Sequence, residues 1–450
     1  MSTASPLWAK GPGKDGAELD RAVQRFCAAD DVILDRELFV HDVKGSIAHV
    51  NALSRAGILT DAERDALAGE LVKVGREFMD GSYVLDERFE DCHSAIEARL
   101  IERLGEVGKK VHTARSRNDQ VLTALRLWVR AQLERLEAGC AATAERLLER
   151  ARASVAVPMP GWTHLQRAMP TSLGAFLAGH AEGFIDNAHA ARAARELVDA
   201  CPLGTGAGFG TSLALDRDGE AAELGFVRLA LNVHAAQNGR GKLELFALQA
   251  LHLATLDVRR LAWDLSLFAS QEGAFVRLPD AYTTGSSLMP NKRNPDVVEL
   301  LRTLAPTVEG AMQELSGVLA LPSGYHRDLQ ATKAPLLRAF SRALAGLELV
   351  PALVGALVFD EAALRAAITP DLYATDRALE LVQQGVPFRE AYRQAAAEIP
   401  QLSARTPEAS LRARRSLGAA GNLALERLEE RLRSLSADHP AAASARRAGS

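Results

Sequence analysis

Cysteine is scarce. Cys27, Cys92, Cys140 and Cys201 are the only four in 450 residues, far apart and without a CxxC pair. That excludes a disulfide framework and predicts reduced, buried thiols. No HExxH motif and no Cys/His cluster at metal-ligand spacing occurs, so neither a metal nor another cofactor is expected. An excess of positive charge is also missing. The 53 basic and 57 acidic side chains leave a net charge of −4, which gives no field for nucleic acid or an anionic membrane. No run of eighteen apolar residues suggests a membrane span, and MSTASPLWAKGPGKDG has no apolar core of signal-peptide length. A cytoplasmic protein is expected. Runs of β-branched residues are rare, which argues against a sheet protein.

What is present is Ala and Leu in long stretches free of Gly and Pro. From Lys242 to Glu272, Leu245, Leu248, Leu251, Val258, Leu261, Leu265 and Phe268 recur at three- and four-residue steps or their sums. That is the helix period. Trp263 and Leu267 widen the apolar surface, which predicts burial on several sides. Further long helices are expected over about 118–153 and 172–200. A fourth is expected from Asn294, with Asn294 as cap, Pro295 at the first position and a kink at Pro306. The fold class is all-α, a bundle of long helices. So much apolar helix length predicts an oligomer. Three segments are expected: an N-terminal helical domain over 1–111, the long-helix region over 112–362, and a C-terminal helical domain over 363–450 that ends in a frayed polar tail.

Three polar segments interrupt this pattern. His112 to Gln120 reads HTARSRNDQ and sets Ser116, Arg117 and Asn118 at a predicted helix start. Free N–H groups and arginines there suit carboxylates, although a solvated capping box has the same composition. Pro160 to Ser172, PGWTHLQRAMPTS, holds Thr163 and His164 between prolines. A lone histidine is more often structural than catalytic. Thr283 to Glu299, TTGSSLMPNKRNPDVVE, places Gly285, Ser286 and Ser287 six residues before Lys292, Arg293 and Asn294. A surface loop with a basic tip would look alike, but the pattern also suits a lid over an anion. Together the three segments point to an anion-binding helical enzyme.

GSSLMPNKRNP resembles the signature of the fumarase/aspartase superfamily. HTARSRNDQ, GWTHLQRAMP, EDCHSAIE (Glu90 to Glu97), YHRDLQATK (Tyr325 to Lys333) and GVPFREAY are similar to the argininosuccinate lyases within it. The resemblance implies a three-domain helical subunit in a homotetramer, with active sites built from three chains. The implied reaction splits argininosuccinate into arginine and fumarate. By the same resemblance Ser286 is the catalytic base, His164 acts on protons with Glu299 as its carboxylate partner, and Lys292 stabilises charge. Ser116, Arg117, Asn118, Thr163, Asn294, Tyr325, Gln330 and Lys333 match substrate contacts, with Asp91, His93 and Arg240 nearby. Departures from the family pattern are LWAKGPGK around Leu7 to Lys14, Ala114 for a glycine, Asn291 and Arg293 in the signature, NGRG at Asn238 to Gly241, and Asp31 for a serine. A sister enzyme such as adenylosuccinate lyase, or a non-catalytic structural homologue, is the competing reading.

Overall fold

The computed structural model describes residues 23, 26–28, 30–86 and 88–437. Leu7 to Lys14 and the residues of the polar tail from 438 onward lie outside them. Helices dominate. In chain order they include α1 (Phe39–Arg55), α2 (Asp61–Met79), α3 (Cys92–Leu104), α4 (Arg117–Ala153), α5 (Leu173–Val198), α6 (Arg217–Glu223), α7 (Val233–Asn238), α8 (Lys242–Phe268), α9 (Asp296–Leu301), α10 (Leu304–Val318), α11 (Lys333–Leu347) and α12 (Val350–Ala356). Shorter helices continue to Leu425–Ala437. The all-α expectation holds. The described strands form only two-stranded pairs.

The long helices follow the sequence period closely. At 1.5 Å per residue α4 is about 55 Å long. Ser172 starts α5, its hydroxyl accepting the Ala175 N–H at 3.1 Å. The α8 helix stops at Phe268 rather than Glu272, because the chain turns back there. Phe275 N–H reaches the Phe268 carbonyl at 2.8 Å, and Gly273 N–H donates to the Ser270 hydroxyl at 3.0 Å. The expected fourth helix is also modified. Asn294 does not cap it; it pairs with Thr284 in a short antiparallel bridge, and its side chain donates to the Gly285 carbonyl at 3.5 Å. Pro295 takes the cap position without a side-chain bond. The helix breaks at Arg302 and Thr303, so that Pro306, which has no N–H, falls in the first turn of α10.

The chain divides into two compact units that interleave the three sequence segments. The first comprises the described residues within Met1–Glu134, Arg192–Ala250 and Glu309–Ser341. Its core includes Phe39, Val43, Val50 and Leu53 of α1, Leu67, Leu71 and Val74 of α2, and Cys92, Ile96 and Leu100 of α3. Each large side chain buried this way contributes roughly 2 kcal/mol. Phe39 stacks on Phe78 with ring centres 4.0 Å apart. A capping box at Thr60 and Glu63 opens α2, and Asp91 with Ser94 opens α3. The second unit comprises Arg135–Ala191, Leu251–Val308 and the described residues of Arg342–Ser450. There Trp162 packs on Phe268 and Phe275 at 5.2 and 5.7 Å, beside a cavity of about 500 Å³.

Among the described residues one run, Arg327–Ala356, is long and apolar enough on average to cross a membrane, although charged residues interrupt it. Its apolar side chains serve packing instead. Leu336, Phe340, Leu344, Leu347 and Leu353 are buried, and the run is interrupted between α11 and α12. Along α8 the expected burial is incomplete within one chain: Phe246, Leu253, Trp263 and Leu267 are exposed.

Candidate active site

The residues singled out by the sequence fall into two groups, one in each unit. In the first unit, Asp91, His93, Arg117, Asn118, Arg240, Tyr325, Gln330 and Lys333 line one cavity of about 150 Å³, together with Asp31 and Arg327. Ser116 sits at its edge in sequence, with its hydroxyl accepting the Asn118 N–H at 3.2 Å at the start of α4.

The cavity is built from paired charges. Arg117 bonds Glu90 at 3.1 Å and also Asp91, which caps α3. Arg327 bonds the other Glu90 oxygen at 2.7 Å. Gln330 donates to the Cys27 carbonyl at 2.8 Å. Lys333, only 2% exposed, reaches Asp31 at 2.8 Å and Asp35 at 2.7 Å. Burial works against that ammonium, yet Asp35 and Asp31 outweigh it and hold Lys333 above its usual range. Burial pushes the Asp31 carboxyl up; Lys333 opposes but does not cancel this. Asp35 is also buried, but Lys333, His93 and the Cys92 N–H prevail and hold it below the usual carboxylate value.

Two groups at the cavity carry buried nitrogens without a hydrogen-bond partner among the described residues. Arg240 is 3% exposed, and its Nε and Nη1 have no hydrogen-bond partner among the described residues. Its guanidinium lies over the Tyr325 ring at 5.4 Å. Buried His93 has its Nδ1 3.0 Å from Asp42, and its Nε2 lacks a partner among the described residues. Unmet buried donors of this kind are costly unless a ligand engages them. The family resemblance places both near the matched substrate contacts rather than among them.

Asp35, Cys92 and His93 also bring possible metal-ligand atoms together. The cation beside Asp35 is the Lys333 ammonium, and burial pushes the Cys92 thiol well above its usual value. A protonated thiol is a poor ligand.

The second unit carries Thr163, His164, Ser286, Lys292, Asn294 and Glu299. The strands β1 (Pro158–Thr163) and β2 (Gln166–Ser172) pair antiparallel, with Thr163 opposite Gln166. His164 and Leu165 form the two-residue turn, at φ 55° and 58°. A tight hairpin needs positive φ at both places and ordinarily takes Asn and Gly. Histidine tolerates this and leucine does not, so the turn stores strain of about 1–3 kcal/mol. It holds His164 exposed at the hairpin tip, beside a 74%-exposed Leu165.

Ser286 sits at the start of a loop whose neck is closed by the pairs Thr284–Asn294 and Gly285–Arg293. Thr284 bonds Asp296 and Arg293 bonds Asp280 across that neck. The backbone N–H groups of Met289 and Leu288 both donate to the Ser286 hydroxyl oxygen, at 3.1 and 3.3 Å. Two donors aimed at one oxygen favour its deprotonated form. Lys292 is exposed, with its N–H on the Met289 carbonyl at 3.1 Å. Glu299 bonds Arg302 at 3.2 Å; among the described residues it makes no hydrogen bond to His164 within the chain.

The sequence reading missed a buried polar stripe on α1. Asp42, Ser46 and His49 recur at i, i+4 and i+7 and hold the 113–120 segment from behind. Asp42 accepts from Gln120 at 3.1 Å, Ser46 from Arg115 at 2.9 Å, and His49 Nε2 lies 2.9 Å from the Thr113 carbonyl. Its other nitrogen is 3.1 Å from Glu220. The helical spacing was visible, but a polar stripe ordinarily faces water.

Comparison with known proteins identifies the family. The model of a family described as "Lyase" matches residues 21–310. The argininosuccinate lyase of Xanthomonas oryzae pv. oryzae is 54% identical over 424 residues, covering 94% of this chain and 98% of the relative. That of Sorangium cellulosum is 54% identical over 426 residues, covering 95% and 98%. Among solved structures, an EDDS lyase in complex with formate aligns with a TM-score of 0.80 at 24% identity, over 94% of this chain and 92% of that one. A fumarate lyase from Mesorhizobium sp. BNC1 aligns at 0.67 and 18%, over 94% and 96%. These two share the fold. Identity above one half over nearly the whole length places the chain, within the lyase family, among the argininosuccinate lyases.

Proposed function

We propose that this enzyme splits argininosuccinate into L-arginine and fumarate, as a step of arginine biosynthesis in the cytoplasm. The observation that carries the chemistry is the pair of N–H groups on the Ser286 oxygen. A proton on carbon beside a carboxylate is very weakly acidic. Its removal places a second negative charge on that carboxylate, and a serine can take the proton only as a stabilised alkoxide. The Leu288 and Met289 N–H groups supply that stabilisation, and the cation of Lys292, six residues on, adds to it. Lys292, Asn294 and Thr163 are assigned to the charge that builds on the carboxylate. His164, with Glu299, moves protons, and the departing guanidino nitrogen gains one as the C–N bond breaks. The cavity of Arg117, Asn118, Arg240, Tyr325, Gln330 and Lys333 is assigned to binding substrate. No step draws on a metal or an organic cofactor.

The reading includes a homotetramer in which subunits share active sites. Its support is the exposed apolar row Phe246, Leu253, Trp263 and Leu267 on α8. An ultraviolet assay of purified enzyme with argininosuccinate tests the activity directly. Fumarate should accumulate in step with arginine; no fumarate from argininosuccinate, with fumarate released from adenylosuccinate instead, would overturn the assignment.

A further inference from the structure

The two basic walls of the first-unit cavity come from distant parts of the chain, yet one buried hydrogen-bonded line joins them. Asp119 is fully buried in the first turn of α4. One of its oxygens accepts the Ser116 N–H at 3.0 Å, and the other accepts the Gly206 N–H at 2.8 Å. Gly206 in turn accepts, through its carbonyl, the Gln237 side-chain N–H at 3.3 Å. Gln237 is buried in α7, and its main-chain carbonyl accepts the Arg240 N–H at 3.1 Å. Arg240 lines the same cavity as Arg117 and Asn118, and its Nε and Nη1 have no hydrogen-bond partner among the described residues.

The loop between is shaped for this task. Gly206 has φ +58°, and a Cβ there would meet the Gly210 carbonyl at 3.1 Å. Gly208 has φ +99° and packs at 3.0 Å from Gln237 for an added Cβ. A side chain at either position would push the loop off its partners.

We propose that Asp119, Gly206 and Gln237 form one brace that sets the spacing between the Arg117–Asn118 wall and the Arg240 wall, with Asp119 and Gln237 as positioning residues for substrate. This rests on the assignment of the cavity to substrate binding. The brace needs Asp119 ionised, since a protonated carboxyl gives up one of its two acceptor positions. The charged groups facing Asp119 are Arg115 from its own segment and Glu220 from α6, itself bonded to His49 of α1. Burial dominates and pushes the Asp119 carboxyl up to about 7. Its folded value therefore lies above its unfolded one, so the carboxylate form, and with it the brace, is gained as pH rises through about 7.

The test compares wild-type enzyme with Asp119→Asn, Gln237→Met and the double variant. Each single change should raise KM by up to about tenfold, the size of one lost hydrogen bond, with kcat nearly unchanged. The double variant should be no worse than the poorer single one, because a line is broken only once. The wild-type kcat/KM should climb through about pH 7, and Asp119→Asn should flatten that climb. Unchanged KM in both folded singles, or fully additive losses, would overturn the brace. If Asp119→Asn fails to fold, Gln237→Met decides alone, since methionine keeps the volume and removes the donor together with an Oε1 that has no hydrogen-bond partner among the described residues. Should wild-type enzyme release no fumarate, the activity assignment fails by itself. The brace is then read from L-arginine affinity by calorimetry, where the same losses are expected and their absence overturns it.

Discussion

The cavity in the first unit and the reactive segments of the second are built on opposite plans. In the first, most charges are held by a fixed partner: buried Lys333 between two carboxylates, Arg117 between Glu90 and Asp91, Arg327 on Glu90. In the second, His164 stands at an exposed hairpin tip and Ser286 opens an exposed loop tied at a two-pair neck. Recognition of a charged ligand gains from groups fixed in advance, because little reorganisation remains when the ligand arrives. Proton transfer instead needs groups that can be enclosed after the ligand is seated. Under the proposed assignment, the contrast separates binding from chemistry along the chain.

Substitutions can break that contrast. The largest effect is expected from Ser286→Ala, which should cut fumarate release by about four orders of magnitude while argininosuccinate still binds. Near-normal turnover would remove Ser286 from the chemistry. His164→Asn comes next, with a loss of about 10²–10⁴ in kcat. Its melting temperature should scarcely move, because the side chain is exposed and asparagine accepts positive φ. A large thermal loss would mean that His164 is structural. On the binding side, Lys333→Met should act through stability. It leaves Asp31 and Asp35 buried without their cation, at a cost of about 3–5 kcal/mol in denaturant unfolding. A variant as stable as wild type would show that the acidic pair accommodates itself otherwise. The smallest effect concerns Ala114, held at φ 60°. Ala114→Gly should stabilise by about 1 kcal/mol, measured by the same unfolding, since only glycine adopts that backbone without a steric penalty.

Much of this could be seen in the sequence. The α4, α5 and α8 helices follow apolar spacing, and their ends err by a few residues where a tertiary contact, such as Phe275 folding back to Phe268, cuts in. The three polar segments were found because charge and glycine stand out against Ala- and Leu-rich helix. Asn294 misled, because its preference for capping lost to a bridge with Thr284 ten residues upstream. Asp35, Asp42, His49 and Asp119 were passed over for another reason. Each is polar at helical spacing, and sequence periodicity records where a side chain points, not whether water or another side chain awaits it. Their roles appear only once distant segments meet.

The narrow neck at Thr284–Asn294 has a practical consequence. Seven residues, 286–292, hang from it, with Leu288 84% exposed and Met289 open beside it. Such a strip can be reordered without disturbing a single long helix, and the entropy given up on fastening it is small. A protease should therefore nick the enzyme there before anywhere else in the second unit, and saturating fumarate should slow that first cut while leaving later ones alone.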